Sequence, residues 1–122
     1  MYAELIARAH AAGVVASLAA QPTPMVVYHA GIDGQQLPNT PTYYESEGVC
    51  GFGWVEVRPR RGPFVKWARA NGVGRDDRYS KCHRIRSPLA TQSYTRNVAY
   101  AEAYAEVLRE AGINATGTGR LD

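Results

Sequence analysis

Long apolar runs are missing from this sequence. No stretch of about 18 apolar residues occurs, so we expect no membrane-spanning helix and no membrane partner. Cysteine is scarce, since Cys50 and Cys82 are the only two in 122 residues, too few for the disulfide framework of a small secreted domain. The first residues, Tyr2 to Glu4, also match a secretory signal poorly. We therefore expect a protein of the cytoplasm.

The fingerprints of common nucleotide and hydrolase sites are absent as well. The sequence has no phosphate-binding P-loop, no dinucleotide-binding glycine motif and no nucleophile elbow. Its histidines, His10, His29 and His83, show no metal-like spacing with the two cysteines. Cys82 and His83 are neighbours whose side chains point to opposite faces of a strand. The remaining candidate for a catalytic thiol and imidazole pair is Cys50 with His83, which could meet only if their strands are neighbours in the sheet. We expect a protein that is not an enzyme and holds no cofactor or metal.

The amino-acid composition is typical of one folded domain. Hydrophobic residues make up 45% of the chain and charged residues 20%, an ordinary balance for a packed protein. Residues 2–19 carry apolar side chains at helical spacing and predict an amphipathic helix. Residues 25–28 predict a short strand, and residues 30–42 a loop rich in proline and glycine. We divide the chain into an N-terminal segment, 1–42, and a core, 43–122.

The core alternates strands with helices. Residues 48–57 and 79–86 predict strands, and 113–121 predict a closing strand. Between them, residues 63–72 predict a short helix that begins at a proline, and 97–112 a long helix capped by a preceding serine or threonine. We therefore expect an α+β fold, in which a small sheet of about three to four strands is covered by the long C-terminal helix and the short helix, with an additional N-terminal helix.

The long helix has two apolar stripes instead of one. The first stripe comprises Val98, Ala101, Ala105 and Leu108, and the second comprises Tyr100, Tyr104 and Val107. A helix that is apolar on two sides is covered on both. Either the N-terminal helix or a second subunit covers the second stripe, and the second alternative makes the protein a homo-oligomer.

Residues 50–57, CGFGWVEV, resemble the RNA-contacting strand of an RRM domain, whose aromatic side chains stack on bases. Cys50 stands where the basic residue of that pattern would meet phosphate, and Val57 replaces its last aromatic residue. The preceding loop leaves no room for the helix that an RRM places before this strand, and a further helix and strand follow. We therefore expect Phe52 and Trp54 to face the core beneath the long helix, in preference to serving as stacking platforms.

Basic residues are concentrated in the middle of the chain. Eleven of the 14 lie between Arg58 and Arg96, where only Asp76 and Asp77 oppose them, so the segment carries a formal charge of +9. This density attracts nucleic acid or another phosphate-rich ligand, and the alternative is a solvated surface with arginines on several faces. The candidate binding residues are Arg58, Arg60, Arg61, Lys66, Arg69, Lys81, Arg84, Arg86 and Tyr79, with Trp67 as a second stacking candidate.

Two further features bear on binding. Residues 117–120, GTGR, offer backbone amides and a guanidinium to an anion, although a terminus after an edge strand is the simpler interpretation. Several tyrosines fall beside the arginines at predicted element ends. Such a mixture suits base stacking and protein interfaces alike. These tyrosines are Tyr43, Tyr44, Tyr79 and Tyr94.

The segments YYESEGVCGFGWV, FVKWARANG, QSYTRNVAYAEAYAEVLREAGINA and GRLD lie between Tyr43 and Asp122. Across this range the sequence resembles a group of small uncharacterised accessory proteins encoded by actinobacterial phages of the mycobacteriophage type. The resemblance implies an accessory protein that acts in the cytoplasm of a bacterial host, and it supplies no catalytic or binding residues. The segment SKCHRIRS is more basic here than in such relatives.

Two functional hypotheses follow. The first is a non-enzymatic protein whose basic segment binds nucleic acid or another phosphate-rich ligand, largely without sequence specificity. The second is a phage-encoded inhibitor of a host protein or defence system, acting by protein binding or by sequestering a nucleotide. A structural component of the virion is a third, weaker hypothesis.

Overall fold

Three helices and two antiparallel sheets make up the fold, which a computed structural model describes over all 122 residues. The elements in chain order are α1 (Tyr2–Ala19), β1 (Met25–Tyr28), β2 (Thr42–Glu45), β3 (Gly51–Val57), α2 (Pro63–Ala70), β4 (Arg75–Asp77), β5 (Cys82–Arg86), α3 (Tyr94–Glu110) and β6 (Ala115–Leu121). Strands β1 and β2 form one sheet, and the other four form a second sheet in the order β4-β5-β3-β6. The predicted α+β class is confirmed. No helix combines the length and apolar character needed to cross a bilayer.

Two strands lie outside the predicted set. Strand β2 begins where the predicted loop 30–42 ends, and it pairs with β1. Strand β4 is the three-residue segment Arg75–Asp77, whose charged residues carry no strand signal of their own and which forms a hairpin with β5. From β3 onward the chain therefore has the order β-α-β-β-α-β, with one strand more than expected there.

Helix α3 lies so close to the four-stranded sheet that its backbone touches the strands. A Cβ atom added to Gly53 would lie 2.2 Å from the carbonyl oxygen of Asn97, and one added to Gly117 would lie 2.5 Å from the backbone nitrogen of Glu102. Any side chain at these positions would push the helix away. Glycine on β3 and β6 is thus a packing requirement of this face of the sheet.

The side chain of Asn97 fixes the start of α3 on the sheet. Its Nδ2 atom donates to the carbonyl oxygens of Gly51 (3.2 Å) and Thr91 (3.1 Å), while its Oδ1 atom accepts from Ser87 Oγ at 2.7 Å. Asn97 is buried, so this full set of partners offsets the loss of its hydration. Ser93, one of the two predicted caps, is the N-cap and accepts from the Arg96 amide.

The other face of α3 is covered by α1. Tyr100 packs directly over Gly13, where an added Cβ would lie 2.5 Å from the ring, and the Tyr100 hydroxyl lies 2.7 Å from His10 Nδ1. Leu5 and Ala9 of α1 belong to the same core cluster as Tyr104. The second apolar stripe of α3 is therefore covered by the N-terminal helix of the same chain.

Strands β1 and β2 form a hairpin arm, residues 25–45, whose strands pair only with each other. Every residue of β2 is exposed, as are three of the four in β1. A two-stranded hairpin with no other support has marginal stability in water. The arm is therefore the least supported part of the fold.

A buried histidine on β5 bonds to β4 and to the segment just before β4. His83 is fully buried; its Nδ1 atom lies 2.9 Å from Asp76 Oδ1 and its Nε2 atom 2.6 Å from the Val73 carbonyl oxygen. Asp76 also pairs with Arg69 at 2.8 Å. Partial burial acts to raise the pKa of the Asp76 carboxyl, but hydrogen bonds from His83 and Arg69 outweigh it and hold this pKa below its usual value.

Replacing Gly53 by Ala tests the close approach of α3. Because the added methyl overlaps the Asn97 backbone, we expect Gly53→Ala to lower the free energy of unfolding by about 3 kcal/mol, measured by urea denaturation. Gly31→Ala in the hairpin arm is the matched control, because its Cβ approaches no atom closer than 3.3 Å. We expect the control to change stability by about 0.5 kcal/mol or less; equal effects of the two substitutions would contradict the packing argument.

Replacing Asp76 by Asn tests the His83 network through its pH dependence. The carboxylate stabilises the fold above its unfolded-state pKa of about 3.9, and this contribution is lost as the pH falls through the lower folded-state pKa. We expect Asp76→Asn to be about 1 kcal/mol less stable than the wild type at pH 7. Urea denaturation should show the two proteins converging between about pH 4 and 2. A difference that stays constant over this range would rule out the ionic contribution.

Candidate functional site

One face of the four-stranded sheet has no helix over it. Burial alternates along β3: Gly51, Gly53, Val55 and Val57 are buried, and the residues between them are only half-buried. Those residues are Phe52, Trp54 and Glu56. The expectation that Phe52 and Trp54 face the core is therefore wrong, because α3 packs against the strand backbone and accepts only glycine at the position nearest to it.

The strand register places a defined set of side chains on this face. Trp54 is opposite Arg86 on β5 and Thr118 on β6, while Phe52 is opposite Arg120. Arg84 is opposite Glu56 on one side and Arg75 on the other. We call this set the open face: Phe52, Trp54, Glu56, Arg75, Arg84, Arg86, Thr116, Thr118 and Arg120.

Guanidinium groups cover both aromatic rings of the open face. The Arg84 guanidinium carbon lies 4.6 Å from the centre of the Trp54 ring. The guanidinium carbons of Arg86 and Arg120 lie 5.7 and 5.6 Å from the centre of the Phe52 ring. These distances are within the range of cation–π interactions. The face therefore combines stacking surfaces with positive charge at the same place.

Glu56 marks one end of the positive part of this face. Its carboxylate accepts from Trp54 Nε1 at 3.1 Å and pairs with Arg58 Nη1 at 2.6 Å. Partial burial acts to raise the pKa of Glu56, but the hydrogen bonds from Arg58 and Trp54 outweigh it and keep this pKa lowered. The negative charge holds the Trp54 ring in place and neutralises Arg58.

The open face contains a shallow groove of about 500 Å³. The residues that line it are Phe52, Trp54, Arg84, Arg86, Gly119 and Arg120. A second pocket, of about 430 Å³, continues from it and shares Phe52 and Arg86. The two rings are two residues apart on one strand, about 6.6 Å along the backbone, so each ring can receive a different planar group.

The predicted binding residues fall into two groups. Arg84 and Arg86 belong to the open face, whereas the other seven lie at the end of the sheet where β3 finishes. We call that end the basic end, and its members are Arg58, Arg60, Arg61, Lys66, Arg69, Lys81 and Tyr79. Arg69 bonds to Asp76 and to the Arg60 carbonyl, and Arg58 bonds to the Ser80 carbonyl, so these two cations help to hold the fold together.

Several aromatic residues considered for stacking are not brought together. Trp67 packs against Tyr2, with ring centres 5.7 Å apart. Tyr43 and Tyr44 lie in the hairpin arm and Tyr79 in the β4–β5 turn. Tyr94 lies against the buried face of β3 and β6. The tyrosine cluster expected from the sequence is therefore not formed.

Cys50 and His83 do not form a catalytic pair. The register places His83 opposite Val57, at one end of β3, whereas Cys50 pairs with Ser93 just beyond the other end. Strands β3 and β5 do adjoin, but the two side chains are separated by most of the length of β3. No group of three or more His, Cys, Asp or Glu side chains is arranged to hold a metal ion.

Sequence reasoning found half of this site. It assigned Arg84 and Arg86 to binding and noted the likeness of Phe52 and Trp54 to an RNA-contacting strand. It placed the two rings on the wrong face, and it considered Arg120 only within the 117–120 segment, apart from the main set of binding residues. Gly51 and Gly53 alternate with the aromatic residues, and this alternation is the signal that identifies the buried face. Comparison of the chain with protein-family models, curated proteins and solved structures finds no match.

Paired substitutions on β3 test which face is buried. Val55 is fully buried, so we expect Val55→Ala to lower the free energy of unfolding by about 2 kcal/mol. Trp54 lies on the open face, so Trp54→Leu should lower it by about 1 kcal/mol or less, despite the larger change in volume. Urea denaturation measures both. If Trp54→Leu were the more damaging substitution, the tryptophan would belong to the core.

Proposed function

We propose that the protein is a non-enzymatic binder of single-stranded nucleic acid, and that the open face is its binding surface. The observation that carries this proposal is the outward position of Phe52 and Trp54 on the central strand, with Arg84, Arg86 and Arg120 beside them. Aromatic platforms in a positively charged groove are the general means of binding single strands without reading their sequence.

Binding requires bases to replace guanidinium groups on the rings. An exposed cation–π contact contributes about 0.5–1 kcal/mol, whereas a base stacked on an aromatic side chain contributes about 1–3 kcal/mol. The exchange is favourable, and it frees Arg86 and Arg120 to contact phosphates. Arg84 is freed in part, because it also pairs with Asp77 at 3.6 Å. The cations that cover the rings in the free protein thus become the phosphate ligands of the complex.

The shape of the surface favours single strands over duplexes. Phe52 and Trp54 are half-buried within the sheet, so a ring reaches a base only if that base is unstacked from its neighbours. Bases in a duplex are already stacked on each other, and aromatic stacking platforms accordingly act on unpaired segments. The phosphate contacts make the affinity dependent on salt and largely independent of sequence.

The basic end extends the positive field beyond the open face. Arg61 and Lys66 are exposed there, where they attract a polyanion at long range. The setting that the phage resemblance implies, the cytoplasm of a bacterial host, fits a protein that meets single-stranded nucleic acid during phage replication or gene expression.

Two pairs of substitutions with equal loss of charge test the proposal. Arg84→Ala with Arg120→Ala removes two cations from the open face, and we expect it to weaken binding of a strand of about eight nucleotides at least tenfold. Arg61→Ala with Lys66→Ala removes two cations from the basic end and should weaken binding by less than about threefold. Fluorescence anisotropy of a labelled thymine strand measures both, and wild-type affinity should fall with salt at a slope of about −2 for three phosphate contacts.

Equal losses from the two pairs would show attraction by net charge without a defined site. Absence of binding to any strand at low salt would refute the proposal. Quenching of Trp54 fluorescence on binding, lost in Trp54→Phe, provides an independent readout because Trp67 packs against Tyr2, away from the open face.

The hairpin arm favours a second candidate function, the inhibition of a host protein. Tyr43 and Tyr44 are 60% and 68% exposed, and Val26 is 54% exposed. These side chains lie on a hairpin with two unpaired edges, which suits the addition of a strand from another protein. Should the open face bind no nucleic acid, the arm becomes the leading surface for function.

A further inference from the structure

The pocket beside the open face has its own chemistry. It lies where β5 ends and β3 begins, and it shares Phe52 and Arg86 with the open-face groove. Apolar contact surface comes from Phe52 and Leu89. A group that enters this pocket can therefore belong to the same ligand that lies along the open face.

Some polar groups in the pocket are already satisfied and others are free. Asn97 and Ser87 bond to each other and to the surrounding structure, so neither presents a free group to a ligand. The guanidinium of Arg86 and the carboxylate of Asp122 make no hydrogen bond and no ion pair within the chain. Gln92 contributes a side-chain amide whose oxygen is 4.0 Å from Cys50 Sγ. The pocket thus offers a free donor fork, a free carboxylate and an amide.

The two charged groups flank the pocket from opposite sides. Arg86 is the last residue of β5, on one side of β3, and Asp122 follows β6, on the other side. Arg86 is opposite Trp54, whereas Asp122 lies beside Cys50, so about 10 Å across the sheet and about 13 Å along β3 separate their backbones. Because both residues line this one pocket, their side chains reach inward from either end and leave room for a planar base between them.

We propose that this pocket binds a guanine base. Guanine offers adjacent acceptors, N7 and O6, to an arginine fork, and adjacent donors, N1–H and the N2 amino group, to a carboxylate. Arg86, which here contacts the base in place of a phosphate, and Asp122 therefore match two of its edges at once. Adenine, cytosine and thymine each lack one or both of these paired edges. The proposal rests on the proposed function in one respect: it names the base that the strand places at the end of the open face.

The same chemistry admits two sources of guanine. One is a guanine within a single strand, and the other is a free guanine nucleotide, whose phosphates Arg120 and Arg84 would meet. A free nucleotide would connect the pocket with nucleotide sequestration.

Strands that differ at one base test the proposal. We expect a thymine strand of about eight nucleotides with one internal guanine to bind roughly tenfold more tightly than the all-thymine strand, and a single adenine to change affinity by less than about threefold. Asp122→Asn should reduce the preference for guanine, because the amide keeps one acceptor but replaces the other with a donor that faces the guanine donors. The readout is the ratio of the dissociation constant of the all-thymine strand to that of the strand with one guanine. A ratio is needed because removing any carboxylate also strengthens the general attraction to a polyanion.

Two controls separate recognition from charge. Asp33→Asn removes a carboxylate from the hairpin arm and should retain the preference for guanine. Arg86→Lys keeps the charge but loses the two-pronged geometry, and it should reduce the preference as Asp122→Asn does. Competition with guanosine monophosphate distinguishes the sources: displacement at micromolar concentration indicates a free nucleotide, and displacement at millimolar concentration indicates the base within a strand.

Equal affinity for all strands together with no competition by guanosine monophosphate would overturn the guanine pocket and leave the open-face proposal intact. A guanine preference unchanged in Asp122→Asn would also overturn it. Binding of guanosine monophosphate without binding of any strand would support the pocket and refute the proposed binding of single strands.

Discussion

The close contact between α3 and the backbone of β3 determines what the rest of the molecule can present. The Asn97 backbone carbonyl occupies the space that a side chain at Gly53 would need. The Asn97 side-chain amide donates to the carbonyl oxygen of Gly51, two residues earlier on the same strand. A helix held this close leaves no room for an aromatic ring between it and the sheet. Phe52 and Trp54 must therefore point to the opposite side, where no other element of the chain covers them. The open face is a consequence of core packing.

The positive charge of the chain divides into cations that hold the fold and cations that are free. Arg69 and Arg96 bond to carboxylates and to backbone carbonyl oxygens of distant segments, so their charges are largely neutralised. Arg86 and Arg120 have no carboxylate partner and lie on aromatic rings. A formal charge of +9 over residues 58–96 therefore overstates what a ligand meets. The free cations are fewer, and they are concentrated by the register of β3, β5 and β6.

The sequence predicts the helices and strands well where the apolar spacing is regular. It fails to predict the buried face of β3, where both alternating sets of residues include apolar side chains. Helices α1 and α3 follow from their apolar spacing, and β3 follows from its apolar run. Along β3, however, both alternating sets contain apolar residues, so hydrophobicity alone does not say which set is buried. What decides which set is buried is how closely α3 approaches the strand, because only glycine fits beneath it. The glycines can be interpreted in this way only once the helix is known to lie over them. Arg120 reaches the site through strand pairing across more than half of the core, which local sequence does not encode.

An uncovered sheet face with two aromatic rings would ordinarily promote aggregation. Here the rings are half-buried and each has a guanidinium above it, so the exposed surface is charged. This cover is weak, about 0.5–1 kcal/mol for each contact, and it is made by the groups that a phosphate would attract away. The same arginines thus keep the face hydrated in the free protein, and a polyanion that attracted them away would uncover the rings. Replacing them by neutral polar residues would hydrate the surface equally well but would remove this coupling between phosphate binding and exposure of the rings.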